Sequence, residues 1–247
     1  MTRAKKKIRQ GMKSKLLLGL ASVFSALSVL LIAQCARFPA VPPALNKRIR
    51  ITFFLDGPVN PNYVYIVALN DANDASGANG GPLPVVAPPW GNGFVAGRAT
   101  HFVRYDGFQP NGGYSVNRFT DLQNLLSWVF VGVPVNFTTP TGNSNKIEFE
   151  LDFSQLRPPP DDPNAIFALQ VNLLTMDRVP TNPGDTNPKF WDALGDSTDP
   201  GSINDFITID TTQSRIYRNS DSQLEPQGDA PDPGLDIIDW QIEVRLP

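Results

Sequence analysis

The sequence predicts an all-β fold, a single antiparallel β-sandwich with long loops and one or two short helices. Two segments, residues 146–153 and 238–246, alternate apolar and polar side chains with a period of two. That alternation is typical of antiparallel strands with one buried and one exposed face. Ten short strand-like runs are separated by clusters of glycine, proline, asparagine and aspartate, a spacing that is typical of sandwiches.

The predicted strands follow one another from residue 48 onward. Residues 63–69 are apolar on both faces and are therefore predicted to form a central strand. Pro134 has no amide hydrogen to donate, which favours an edge or a bulge for its run. The ten runs are 48–55, 63–69, 100–105, 113–118, 129–137, 146–153, 166–175, 206–209, 214–217 and 238–246.

Two short helices and three long loops are predicted between these strands. An Asn-Pro pair precedes a predicted helix over 189–194 that Gly195 ends, and Thr120 is a candidate N-cap for a helix over 121–126. Long polar loops on a sandwich are often functional, so a site is expected where they gather. The long loops are 70–93, 178–204 and 219–235.

The first 35 residues have the organisation of an export signal. Residues 1–15 carry seven basic side chains and no acidic one, and residues 16–33 carry no charge. Residues 31–35, Leu-Ile-Ala-Gln-Cys, resemble the lipobox of bacterial lipoprotein precursors, although Gln34 departs from the small residue usual at that position. The resemblance implies that residues 1–35 are a signal peptide and that Cys35 is lipidated after cleavage.

Two other interpretations of the N-terminus stay open. Residues 16–33 are just long enough to remain as a transmembrane anchor, which would export the same domain. Cleavage near Ala33 or Ala36 would instead release a soluble protein. Cys35 is the lone cysteine of the chain, and lipidation gives an otherwise unpaired exported thiol a role. We therefore expect an extracytoplasmic domain that is anchored to a bacterial membrane through lipid on Cys35.

The domain is expected to lie close to that membrane. Residues 36–46 contain three prolines and are predicted to form a short extended tether, which reaches on the order of 30 Å. The β-sandwich domain then occupies residues 47–247. Ala36, directly after the cysteine, is not acidic, which resembles the pattern of lipoproteins released to the outer membrane.

The net charge of the chain after residue 35 limits the kinds of molecule that it can bind. Seven of the 21 basic residues lie in the first 35 positions, so the remaining chain has 14 basic and 24 acidic side chains and a net charge of −10. Nucleic acids and anionic headgroups require a basic face, and both are excluded as partners on this ground. The expected partners are the membrane, through the lipid, and a glycan or another envelope protein.

The sequence contains few residues that could act in catalysis, and no catalytic residue is assigned. His101 is the only histidine and lies in a predicted strand, which is typical of a structural role. Glu148, Glu150 and Asp152 project from one face of one strand. Paired carboxylates can hydrolyse glycosides, whereas Lys146 beside them favours a solvated strand face.

A structural calcium ion is the one cofactor that the sequence suggests. Carboxylate and amide oxygens are the ligands that calcium prefers, and they are dense in two of the long loops. The same residue types also dominate turns for conformational reasons alone, which is the alternative. The candidate ligands are Asp71, Asn73 and Asp74 in the first loop and Asp192, Asp196 and Asp199 in the second.

Trp90 and Phe94 are the candidate ligand-binding residues, because they lie in a glycine- and proline-rich loop where a strand is not expected. Exposed rings on such a loop can stack on a sugar or anchor a protein. In the alternative, the loop folds back and the rings cover one end of the core. The three other tryptophans, Trp128, Trp191 and Trp240, are assigned to packing.

Three functions are consistent with these observations. The favoured one is a non-catalytic module that binds a glycan or an envelope protein; a structural part of an envelope assembly and a carbohydrate-active hydrolase are the alternatives. Sugar binding predicts that Trp90 or Phe94 is exposed. Assembly predicts a broad apolar patch or a free strand edge, and hydrolysis predicts two carboxylates in unlike environments within a cleft.

Overall fold

A computed structural model describes residues 47–158, 160–199 and 201–247. The predicted signal peptide, Cys35 and the tether at 36–46 lie outside these residues. The described residues form two packed antiparallel sheets, which confirms the all-β sandwich. No helix among them is long and apolar enough to span a bilayer.

The described part of the chain contains fourteen strands and few helical turns. The strands are β1 (Arg48–Leu55), β2 (Val64–Asn70), β3 (Pro82–Pro84), β4 (Val95–Gly97), β5 (His101–Asp106), β6 (Tyr114–Phe119), β7 (Trp128–Gly132), β8 (Asn136–Thr138), β9 (Lys146–Asp152), β10 (Ala168–Met176), β11 (Trp191–Ala193), β12 (Ile207–Asp210), β13 (Arg215–Arg218) and β14 (Ile237–Arg245). The helical elements are α1 (Asn219–Ser222) and three 3₁₀ turns at Asn111–Gly113, Phe153–Gln155 and Pro163–Ala165.

Two sheets build the sandwich. The first has the strand order β13-β14-β1-β9-β8, and the second has the order β11-β10-β2-β5-β6-β7, with β12 pairing with β10 beside β11. The predicted central strand is confirmed, because β2 lies between β10 and β5 and all seven of its residues are buried. Strands β3 and β4 form a separate hairpin.

Two apolar clusters make up the hydrophobic interior of the domain. The main core lies between the sheets and takes the inward side chains predicted by the period-two pattern, such as Phe149 in β9 and Trp240 in β14. A second cluster, which includes Ile66 and Phe102, covers the outer face of the seven-stranded sheet. Each large apolar side chain buried in this way contributes about 1.5–3 kcal/mol to folding. The second sheet is therefore buried on both faces over much of its width.

The two predicted helices are absent from the structure. Residues 191–193 form β11 and pair with Leu174 to Met176 of β10, because a six-residue helix cannot compete with pairing to a buried strand. Residues 121–126 form a turn in which Asp121 Oδ1 accepts hydrogen bonds from the amides of Gln123 and Asn124. Leu125, with φ at 58°, interrupts any continuation as a helix.

One predicted strand, residues 129–137, is two strands in the structure. Its first part belongs to β7 in the second sheet and its last part to β8 in the first sheet. Pro134 lies in the connection, where the chain passes from one sheet to the other and no ladder hydrogen bond is needed. Both strands are sheet edges, as the proline predicts.

Candidate functional site

Trp90 and Phe94 do not present their rings to solvent. Their exposed fractions are 4% and 2%. The indole Nε1 of Trp90 donates a hydrogen bond to the carbonyl oxygen of Asp185 at 2.7 Å, and the Phe94 ring lies 4.9 Å from that of Phe102. The loop folds back over the seven-stranded sheet, so its two rings cover the core instead of facing solvent. The two residues selected as ligand-binding therefore have no ring face available to a ligand.

The candidate calcium ligands of the first loop are occupied by neighbouring groups of the chain. The Asp71 carboxylate pairs with Arg157 at 3.2 Å, and Asn73 Oδ1 accepts the amide hydrogen of Phe167. The Asp74 carboxylate accepts hydrogen bonds from Ser76 and Asn79, led by the Ser76 hydroxyl, and these bonds lower its pKa. These contacts are typical of turns and loop caps.

In the second loop the candidate calcium ligands separate into two kinds. Asp196 and Asp199 accept hydrogen bonds from residues two positions onward, Thr198 and Gly201. Asp192 is only 1% exposed. Of the six predicted ligands, Asp192 alone belongs to the group of acids that the described structure brings together.

Asp192 is part of a buried group of acids whose other members are not among the ligands predicted from the sequence. Carboxylate oxygens of Asp192, Asp229 and Asp236 lie within 4.8 Å of one another. Glu225, which is 5% exposed, lies near this group, because burial first and then the charges of the three aspartates raise its pKa. Asp192, Glu225, Asp229 and Asp236 are called the acid cluster below. Glu225 and Asp229 lie in the third predicted loop, Asp236 directly follows it, and Asp192 lies within the range of the second predicted loop but in β11 of the structure.

Backbone amides hold the acid cluster in place. Asp192 Oδ2 accepts the amide hydrogen of Ile237 at 2.7 Å. The Gly195 amide donates to Glu225 Oε2 at 3.2 Å, and the Ser197 amide donates to Asp229 Oδ2 at 2.6 Å. Asp236 accepts hydrogen bonds from amides of the segment that precedes it. The side chains are therefore fixed by two loops that enclose them.

The acid cluster lacks a cationic partner within the described residues. None of the ion pairs among the described residues involves its four members. Burial, followed by the Asp229 charge, raises the pKa of Asp192 to about 7. Burial raises the pKa of Asp229 to about 6, and burial together with Asp192 and Asp229 raises that of Glu225 to about 11. Buried carboxyls that repel one another disfavour full ionisation.

Glu150 is a buried acid of the opposite kind. It is 4% exposed and lies on the outer face of the first sheet, where Arg48, Arg50 and Arg245 contact its carboxylate at 3.1 to 3.3 Å. Its neighbour Glu148 pairs with Lys146. The carboxylates of β9 thus form an ion-pair network, and Glu150 is covered by arginines instead of being solvated. This arrangement gives the hydrolase hypothesis no support.

His101 is buried without a charged partner in contact. It is 2% exposed, its Nδ1 lies 3.0 Å from the Thr100 hydroxyl, and its Nε2 has no hydrogen-bond partner in the described structure. Burial lowers its pKa to about 4, assisted by the charges of Arg118 and Arg157. The neutral ring is consistent with the structural role that was expected.

Strand β7 exposes an apolar edge. It ends the seven-stranded sheet and pairs only with β6 in the described structure. Trp128, Val129, Phe130 and Val131 are 40%, 43%, 61% and 37% exposed. Successive side chains of a strand point to opposite faces, so both faces of this edge are open. Trp128 was assigned to packing, and its ring does contact Phe94 and Phe102, but two-fifths of the side chain remains in solvent.

A groove adjoins this edge on the outer face of the sheet. It has a volume of about 410 Å³ and is lined by the rings of Trp128 and Phe130 and by polar side chains that include Arg104, Asn117 and Gln109. Arg104 is held by Asp106 at 2.8 Å. Rings beside amides are the groups with which proteins contact sugars or peptides.

Comparison of the chain with protein-family models, with curated proteins and with solved structures found no match.

Proposed function

We propose that this chain is a lipid-anchored envelope lipoprotein whose β-sandwich domain binds another envelope protein along the edge of β7. The anchoring part of the proposal rests on the sequence pattern of residues 1–35, in which Cys35 is the lipid acceptor. Lipidation would hold the domain outside the cytoplasm and within about 30 Å of a bilayer. The binding part rests on the described structure.

The exposed apolar edge of β7 is the observation that carries the binding proposal. Natural sheets protect long edges with charges, prolines or short strands. Strand β7 has neither a charge nor a proline, whereas the β13 edge of the other sheet carries Arg215 and Arg218. A free, unprotected strand edge is the feature expected of a surface that assembles with another protein.

The chemistry of the edge favours an extended protein segment as the partner. A strand that pairs with β7 would satisfy the free backbone groups of its outer edge. It would also cover Trp128 and Phe130 on one face and Val129 and Val131 on the other. A glycan would stack on the two rings and leave the valines in water. A structural role in an envelope assembly would use this same edge.

Glycan binding in the groove is the second candidate function. The observation that favours it is the placement of Trp128 and Phe130 beside Asn117 and Gln109. This groove replaces Trp90 and Phe94 as the location for such a ligand. The hydrogen-bonding side chains of the groove lie on the face of the sheet that carries Trp128 and Phe130. A glycan bound there would not need Val129 and Val131, whereas a protein strand paired with β7 would cover them.

Site-specific photocrosslinking in intact cells tests the proposal. A photoreactive amino acid replaces Val129 in β7 or, as the matched control, Arg215 at the edge of the other sheet. We expect one discrete protein adduct from position 129 and none from position 215. Phe130→Lys should remove the adduct, because a lysine in the apolar surface opposes pairing.

Two further variants separate the parts of the proposal. Cys35→Ser should move the chain out of the membrane fraction and remove the adduct while the fold is kept. Retention on polysaccharide that is lost in Phe130→Ala and kept in Val129→Lys would favour the glycan candidate instead. Equal adducts from positions 129 and 215 would contradict a specific edge interaction.

A further inference from the structure

We propose that the acid cluster binds one calcium ion, which links the two sheets at one end of the sandwich. Only Asp192 belongs to the set of ligands suggested by the sequence; Glu225 and Asp229 come from the third long loop, and Asp236 directly follows that loop. The proposal is independent of the β7 edge, and it uses the proposed location of the domain outside the cytoplasm only for the supply of calcium.

The geometry meets the first requirement of a calcium site. Ca²⁺ binds oxygens at about 2.3–2.6 Å, so two ligands of one ion are at most about 5 Å apart. Oxygens from Asp192, Asp229 and Asp236 lie within 4.8 Å of one another. Their amide hydrogen bonds leave further lone pairs, because each carboxylate oxygen has two acceptor positions.

Unpartnered oxygens are the second, independent observation. Oε1 of Glu225 and Oδ1 of Asp229 are buried and receive no hydrogen bond from a donor group of the described structure, and the Asp229 carboxyl has only the Asp236 carboxyl, a second acceptor, within reach. The Glu225 side chain is 95% buried, and its other oxygen is fixed by the Gly195 amide in the loop that follows Asp192. A buried acceptor without a partner is costly and rare in folded proteins. Here two such acceptors belong to the same group of acids.

The charge balance favours a divalent cation over a side chain as the missing partner. Four carboxyls share the site, and no lysine or arginine pairs with any of them in the described residues. Calcium takes six to eight oxygens in flexible geometry, so the three aspartate carboxylates, together with water or carbonyl oxygens and the neighbouring Glu225, can complete its shell. Calcium is also abundant outside the cytoplasm, where the domain is proposed to lie.

The position of the acid cluster explains what the ion would do. Asp192 belongs to β11 of the seven-stranded sheet, and Asp236 directly precedes β14 of the five-stranded sheet. Ser197 already connects Asp192 and Asp229 through its hydroxyl and amide. An ion held by both sides would fasten the second loop to the third and thereby tie the two sheets together.

Thermal unfolding of the full-length chain in millimolar Ca²⁺ and in EDTA tests the proposal. A ligand that binds only the folded state raises the melting temperature, and binding at a hundredfold excess over Kd should raise it by about 5–10 °C for a domain of this size. Calcium titration calorimetry should give a stoichiometry of one ion per chain. No shift in melting temperature and no heat of binding would overturn the proposal.

Matched variants locate the site. Asp229→Asn changes a half-exposed member of the acid cluster and should abolish both the shift and the heat of binding. Asp199→Asn changes an exposed aspartate of the same loop system and should retain both. Glu225→Gln is the second cluster variant, for the case that Asp229→Asn does not fold. Calcium binding that persists in both cluster variants would place the ion elsewhere and refute this site.

Discussion

Glu150 and Glu225 are equally buried but have opposite surroundings. Glu150 is 4% exposed and contacts three arginines, whereas Glu225 is 5% exposed, faces three aspartates and has one oxygen without a partner. Burying a carboxylate is costly unless its charge is balanced. The chain balances Glu150 with its own side chains, while the acid cluster depends on protons or on a cation from outside. Glu150 is thus a structural residue, whereas Glu225 is a candidate metal ligand.

His101 is a buried base that, like Glu225, has no balancing charge in contact with it in the described part of the chain. Its titration is expected to have the largest effect on the free energy of unfolding. The groups that act on it are Asp71, Arg118 and Arg157, and its pKa in the folded protein is about 4, against 6.5 ordinarily. As the pH falls below 6.5, the unfolded chain takes up a proton that the folded chain refuses. Stability is therefore lost between pH 6.5 and 4, by about 3 kcal/mol in total.

The His101→Gln variant should lack this loss. Urea unfolding of the wild type and the variant at pH 7 and at pH 4 measures it. The difference between their free energies of unfolding should change by about 3 kcal/mol in favour of the variant at the lower pH. A difference that is constant over this range would mean that the ring protonates freely in the folded state.

The strands and the sandwich were predictable because the signal for them is local. Residues 146–153 alternate over consecutive positions, and this pattern survives in β9, where Phe149 is buried and Lys146 is half-buried. The predicted helix at 189–194 was wrong because its local start and stop signals compete with pairing to β10, which lies more than ten residues earlier. Tertiary pairing of this kind cannot be seen in a six-residue window.

The two candidate sites were harder to predict because each depends on topology. Asp192 and Asp236 are 44 positions apart in sequence and become neighbours only when β11 and β14 close one end of the sandwich. Residues 129–131 have the apolar character of a buried strand, and their exposure follows from the position of β7 at the end of its sheet. Neither fact is encoded by the residues next to them.

Glu150→Gln tests whether the three arginines stabilise the buried charge of Glu150. The substitution keeps the shape of the side chain and removes the charge that holds Arg48, Arg50 and Arg245 together. We expect a loss of about 2 kcal/mol in the free energy of unfolding, less than for a fully buried pair because the arginines are about a third exposed and screened by solvent. Urea denaturation at neutral pH measures it.

Glu148→Gln is the matched control for this prediction. Glu148 lies on the same face of β9 at a more exposed position, where it pairs with one cation, Lys146, and accepts hydrogen bonds from the hydroxyls of Thr52 and Thr138. Its loss should stay below about 0.5 kcal/mol. Equal effects of the two substitutions would mean that the arginine network contributes no more than an ordinary surface ion pair.

Glu225→Gln tests the acid cluster, where the opposite sign, a gain in stability, is expected. The pKa of Glu225 is raised to about 11 from 4.5, so between these values folding requires proton uptake and the wild type loses stability as the pH rises. Glutamine removes this cost and can still accept the Gly195 hydrogen bond. In EDTA at neutral pH, the variant should have a larger free energy of unfolding than the wild type, because it no longer has to take up a proton to fold. In millimolar Ca²⁺ the order should reverse, because only the wild type keeps the complete set of ligands. A loss in EDTA as large as that of Glu150→Gln would show that the chain already balances the acid cluster, and the distinction between the two buried glutamates would fall.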